Sequence, residues 1–317
     1  MTGPARGEAA AFSSAGLVAL VIASLRREDP RLLPADLRDV DPMRGAMFDP
    51  SAKRAILDHA YRRGGAAPLL RVGRILPEVA HSPTIAVLAA SRHPAVLAEK
   101  WMRFERYHHS DNRTAIAVEL DSYACTRASK MPGATPAPCE NVLICGVLAG
   151  LVALAGGVDV GVEIGGRQAG ADGDFEIAAL DDAATGQFTI AWRDFAPRCP
   201  EPREGSHEPR GGASATGRLA ALLKADPGRN WRLDEASGAL GLSTRTLQRA
   251  LTDEGRSFST VMRGARFDEA GRMLIETDSP LAEIGYCCGY ADQAHFQRDF
   301  QRAANMTPAR FRQTARL

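Results

Sequence analysis

WRLDEASGALGLSTRTLQRALTDEG, Trp231 to Gly255, is the stretch on which the reading of this chain turns. Leu233, Ala236 and Leu240 are spaced to form one face of a short helix, and Gly241 supplies its stop. Ser243 is a good N-cap for a second helix that carries Leu247 and Leu251 inward. Two short helices meeting across a tight turn make the helix-turn-helix arrangement, whose second helix lies in a DNA major groove. The outward residues early in that helix are Thr244, Arg245, Gln248 and Arg249, with Thr246 beside them. Long donor-rich side chains of this kind read guanine and adenine edges, although the same residue types also populate ordinary solvated helix faces.

A loose second copy follows: PLAEIGYCCGYADQAHFQRDFQRAANMTPARFR, Pro280 to Arg312. Leu281, Ile284 and Cys288 form the inward face of a first helix, Gly289 opens the turn and Asp292 caps a second helix anchored by Phe296 and Phe300. Gln293, His295, Gln297 and Arg298 are then outward, and Arg302, Arg310 and Arg312 are placed to meet phosphates. Between the copies, Val261, Met262, Ala265, Met273 and Leu274 predict one long helix from Ser257 to Glu276. Cys287 and Cys288 read as small apolar packing residues rather than a redox pair.

Upstream, PRCPEPREGSHEPRGGASATG (Pro197 to Gly217) has no apolar periodicity and reads as a linker. Before it the pattern is mixed. Helices are predicted near Phe12–Arg27, Ser51–Arg63, Pro94–Tyr107 and Glu140–Ala155, and strands near Thr114–Leu120, Val158–Ile164 and Gln187–Trp192, which suits an α+β domain. The apolar runs Leu17–Ala23 and Val142–Ala155 are too short to span a bilayer and read as core helices.

At 317 residues, 45% hydrophobic and 24% charged, the chain has the composition of two ordinary globular domains. Net charge is +1, with 15 Arg plus Lys against 12 Asp plus Glu from Ala213 onward. The six cysteines form no CxxC pair and no zinc spacing, so free thiols in a reducing cytosol are expected, with no metal and no cofactor. Nucleophile-elbow, P-loop, HExxH and dinucleotide-binding motifs are all missing, and the four-cysteine or activated-cysteine chemistry of a DNA-repair methyl acceptor has no counterpart here. An enzyme is therefore not expected.

The stretch from Gly217 to Leu317 resembles the DNA-binding domain of AraC/XylS-type transcription regulators. Ala282, Ile284, Gly285, Gly289, Tyr290, Asp292, Phe296, Arg298, Phe300, Pro308, Phe311 and Arg312 carry the resemblance. One departure is Ala304-Asn305-Met306, where the family has an aromatic residue and Gly; Asn tolerates the left-handed conformation, so the turn is expected to survive. The resemblance implies an all-α domain with two helix-turn-helix units joined by a long helix. The units would enter successive major grooves about 34 Å apart. Carried over by position, Arg245, Gln248, Arg249, Gln293, Ala294, His295 and Arg298 are candidate base readers, and Thr244, Thr246, Gln297 and Arg302 candidate phosphate contacts.

Gly73 to Arg113, with Ser82-Pro83-Thr84 and a helix ending at Tyr107, resembles the sensor domain of the ornithine-utilisation and virulence branch of that family. This implies effector binding, dimerisation or both for residues 1–196, followed by a linker over 197–216 and the DNA-binding domain over 217–317. Trp101, Tyr107, His108, His109 and Arg113 are the one cluster mixing aromatic and ionisable groups; a pocket is one reading and a helix end capped by positive residues the other. The expected partners are double-stranded promoter DNA, RNA polymerase, a small-molecule effector and a second copy of the chain, with no membrane. A constitutive dimeric regulator and a DNA-tethered enzyme stand as alternatives to an effector-responsive activator. A fragment lacking residues 1–196 is expected to fold.

Overall fold

The computed structural model describes residues 15–35, 37, 50–80, 82–107, 111–170, 180–198 and 214–315. His108, His109, Cys199 and most of the expected linker lie outside them. The chain separates into two compact units, one comprising 1–77, 104–153 and 157–194, the other 78–103, 154–156 and 195–317.

In the first unit, α1 (Ala15–Glu28), α2 (Pro50–Gly64) and α3 (Ala67–Leu70) precede a 3₁₀ segment at Arg71–Val79. Its antiparallel sheet comprises β1 (Asn112–Val118), β2 (Ser122–Ser129), β4 (Gly161–Ile164), β5 (Arg167–Ala169) and β6 (Gln187–Ala191), in the order β1-β2-β6-β4-β5. Short strands β3 (Gly157–Val158) and β7 (Asp194–Phe195) pair separately. Helix α6 (Pro138–Ala155) is apolar all round, as a helix covered on every side must be. Its length and apolarity would allow a membrane span, yet two-thirds of it is buried, including Val142, Leu143, Leu148, Leu151 and Val152. Gly146 and Gly150 explain how it fits: a Cβ on either would sit 2.2 or 2.4 Å from the carbonyl oxygens of Leu70 and Gly73, so backbone packs on backbone.

Strand β2 is absent from the sequence expectation because its inward row, Tyr123, Cys125 and Arg127, breaks apolar alternation with a charge. Arg127 is nevertheless satisfied. Its guanidinium donates to Glu105 at 3.1 Å, Asn141 at 3.0 Å and Thr114 at 2.8 Å, and Glu105 also accepts the Thr114 amide at 2.7 Å. A buried charge is tolerated when it is paired and hydrogen-bonded in this way.

The second unit is helical in its described residues apart from the chain around β7. It holds α4 (Pro83–Ala89), residues 94–103 of α5 (Pro94–Tyr107), α7 (Ala215–Ala225), α8 (Leu233–Ala239), α9 (Thr244–Asp253), α10 (Phe258–Glu276), α11 (Leu281–Cys287), α12 (Gln293–Ala304) and α13 (Pro308–Ala315). Order along the chain placed 78–103 with the N-terminal domain. The structure groups it with the C-terminal helices, because Lys100 and Arg103 are buried there against residues 226–228 and 286.

One core of this unit is Leu219, Leu223, Trp231, Ala236, Leu247, Leu251, Val261 and Ala265. Around α12 the packing is aromatic: Phe300 lies 4.9 Å from Phe267, 5.8 Å from Phe296 and 5.3 Å from Phe311, centroid to centroid. Such rings contribute both buried area and geometry.

Candidate nucleic-acid interface

The pairs α8–α9 and α11–α12 are built by the same local rules. Each first helix ends at a glycine with positive φ, Gly241 at 68° and Gly289 at 80°. Gly241 N–H donates to the Gly238 carbonyl and Leu242 N–H to Ser237; Gly289 N–H donates to Tyr286 and Tyr290 N–H to Gly285. The two bonds form the same paired closure in each case, and it satisfies carbonyls that a helix end would leave bare. Each second helix starts at a side-chain cap. Ser243 Oγ accepts from Thr246 N–H at 3.1 Å, and Asp292 Oδ1 from His295 N–H at 2.7 Å. Leu247 and Leu251 in α9, and Phe296 and Phe300 in α12, anchor the inward faces and fix which residues point out.

On α9, Arg245, Thr246, Gln248 and Arg249 are exposed. The Arg249 guanidinium lies 3.9 Å from Asp253, with both side chains mostly in solvent, a separation at which the ion pair restrains little. Thr244 is half-buried, its hydroxyl 3.2 Å from that of Ser237, so it ties α9 to α8. On α12, Ala294, Gln297, Arg298 and Arg302 are exposed and Gln293 is half-buried. Arg302 pairs with Asp299 at 3.2 Å. The His295 ring is half-buried, standing edge-on to Tyr290 at 5.3 Å, with Nδ1 3.4 Å from the Ala291 amide.

Of the remaining cations, Arg310 is exposed, whereas Arg312 donates to the Ser279 carbonyl at 2.5 Å, a bond that fastens α13 to the chain entering α11. At the left-handed turn after α12, Asn305 has φ 55° and ψ 18°, the conformation expected where the family has Gly.

Of the expected effector cluster, His108 and His109 lie outside the described residues. Trp101 is buried in the second unit; Tyr107, buried, and Arg113, half-buried, belong to the first. Burial pulls the Arg113 guanidinium below its ordinary range, with Glu105 opposing the shift. Sequence reasoning missed Lys100 and Arg103. The available signal was the run Ile284, Tyr286, Cys287 and Cys288 at the end of α11, whose apolar residues fall on more than one helix face and so call for cover beyond its partner helix.

Comparison with known proteins agrees with this geometry. The family described as "Helix-turn-helix domain" matches residues 236–314. The chain is 34% identical over 98 residues to the urease operon transcriptional activator of Escherichia coli, covering 31% of this chain and 33% of that protein. It is 32% identical over 96 residues to the ornithine utilization regulator of Pseudomonas aeruginosa, covering 30% and 28%. It is 32% identical over 87 residues to the probable transcription factor PqrA of Proteus vulgaris, covering 27% of this chain and 71% of that protein. The match thus spans about a third of the length of the first two relatives and most of the third. With its helix pairs and these relatives together, the chain belongs to the AraC-type family of helix-turn-helix transcription regulators.

Proposed function

We propose that this protein binds promoter DNA sequence-specifically, reads two successive major grooves with α9 and α12, and activates transcription in response to a small effector. The observation that carries the reading is the repeated construction of the two pairs. Each has a positive-φ glycine turn, a capped second helix and exposed polar side chains on that helix, Arg245, Gln248 and Arg249 on α9 and Gln297, Arg298 and Arg302 on α12. A capped helix N-terminus also favours the phosphate backbone through its dipole and free amides.

In this reading Arg245, Gln248 and Arg249 meet base edges from α9, and Gln293, Ala294, His295 and Arg298 do so from α12. Thr244, Thr246, Gln297 and Arg302 serve phosphates. Residues 217–317 form the DNA-reading region, 197–216 a connector, and residues 1–196 bind effector and dimerise. The working environment is the cytoplasm, where the bound chain contacts RNA polymerase. The mechanism is a population shift, in which an effector binding one arrangement of the protein more tightly changes promoter occupancy. The N-terminal residues are assigned no catalytic step.

The test compares Arg249→Ala with Arg302→Ala on a panel of duplexes differing at single base pairs. Arg249→Ala should cost about 1–3 kcal/mol and relax preference at one position, while Arg302→Ala weakens all duplexes alike and lowers the salt slope by about one. Equal, sequence-independent losses for both variants would remove the assignment.

A further inference from the structure

Within the second unit, a segment more than a hundred residues upstream of α11 is fastened to the loop between α7 and α8. Lys100 is 1% exposed, and its ammonium donates to the Val87 carbonyl at 2.7 Å and to Asp226 at 2.8 and 3.1 Å. Burial pulls that ammonium's pKa down, and Asp226 opposes the shift. Arg103, one turn on, donates to the carbonyls of Gly228 and Tyr286 and lies over the Tyr286 ring, 5.1 Å from its centroid. Tyr286 returns a bond to the Lys100 carbonyl at 3.3 Å, and Thr84 donates to Glu283 at 2.7 Å.

The loop they grip stands between the two helix pairs. On one side, the Trp231 indole donates to the Asp226 carbonyl, and Arg229 pairs with Glu235 of α8 at 3.0 Å. On the other, a Cβ on Gly289, the turn of the α11–α12 pair, would lie 2.4 Å from the Pro227 carbonyl oxygen. A Cβ on Gly228 would lie 2.3 Å from Val87 of α4. Asp226 to Arg229 is thus held by α8, by the α11–α12 turn and by helices α4 and α5.

We propose that Lys100 and Arg103 are positioning residues for DNA reading: they hold the 226–229 loop and α11 together and so set the α11–α12 pair against the α8–α9 pair. Helix α4 and residues 94–103 of α5, although they precede the connector, then take part in DNA reading. This rests on the two-groove reading above. Two pairs that enter two grooves at once gain most from each other when their spacing matches that of the grooves, because the second pair then binds at its highest effective concentration.

The test uses the full chain. Duplex DNA is selected from a random pool by the unaltered protein, and binding is measured to the selected duplex and to one with the α12 block scrambled. Lys100→Met should reduce affinity for the intact duplex about 5- to 150-fold, the range of a typical coupling, while leaving the scrambled duplex within about twofold. The same variant should also lose its dependence on the number of base pairs between the blocks, which a general loss of stability would not produce. Thr84→Val, which removes a single hydrogen bond, should fold normally and show a smaller loss of the same selective kind.

Loss on both duplexes alike by both variants, or no loss by either, would overturn the positioning role while leaving two-groove reading intact. Selection of single-block sequences by the unaltered chain would overturn both.

Discussion

Asn305 shows how one residue can carry a departure from a family pattern. Its backbone sits at φ 55°, a region that costs an ordinary side chain about 1–2 kcal/mol and that Asn enters through local hydrogen bonding. Asn305→Ala should therefore lower the thermal midpoint by an amount worth about 1 kcal/mol, and Asn305→Gly should not, as read by thermal unfolding of the two variants. Gly289 is more demanding, since its φ of 80° comes with the Pro227 carbonyl where a Cβ would be. Gly289→Ala should be the more damaging of the two alanine changes. Both glycine turns and both caps were legible in the sequence, because Gly, Ser and Asp at those spacings have few other uses. His295 was less legible: its outward position follows from helix spacing, but its stacking on Tyr290 depends on a neighbour that spacing alone does not identify.

At the scale of elements, α12 depends on its start. Asp292→Ala removes the acceptor of the His295 amide and should destabilise the α12 region by about 1 kcal/mol, measurable as faster amide exchange in its first turn. Besides its Ser214 cap, which accepts the Gly217 amide, helix α7 has Glu254 accepting the amides of Ala215 and Thr216 at 2.8 and 3.1 Å. The Thr216 bonds hold its carboxyl below the usual range. A carboxylate lowered in the folded state stabilises above its unfolded pKa and loses that contribution as pH falls through its folded one. Docking of α7 should therefore weaken on acidification in the unaltered chain and show less pH dependence in Glu254→Gln, as followed by Trp231 fluorescence. The sequence revealed α1, α2, α5, α6 and α8 to α12 because their apolar rows have clear periods, but α7 begins at Ala215, inside the expected linker, and α13 was not foreseen. It hid β2, where buried Arg127 interrupts the row, and α4, a seven-residue helix with no glycine at its end to mark it as Gly241 and Gly289 mark α8 and α11.

At the scale of the whole molecule, the division of the chain differs from its order in sequence. With α4 and part of α5 built into the second unit, a fragment starting at Ser214 would leave α11 less covered and would lose the bonds that Lys100 and Arg103 make to Asp226, Gly228 and Tyr286. Such a fragment should have a lower thermal midpoint than the same region in the full chain and should aggregate; an unchanged midpoint would mean that Lys100 and Arg103 contribute nothing to holding it. Cys125, Cys139, Cys145, Cys287 and Cys288 are free and buried, and burial raises every one of these thiols, Cys125 to about 12. Since thiolate is the reactive form, iodoacetamide at pH 8 should leave these five unmodified until the protein is denatured.

The central claim is that two similarly built helix pairs read two blocks of DNA, and hydroxyl-radical footprinting of the full chain on its pool-selected duplex tests it most directly. Two protected patches on one face of the duplex, about one helical turn apart, are predicted, with Arg249→Ala weakening one and Arg298→Ala the other. A single patch, or two patches that both variants weaken equally, would contradict it.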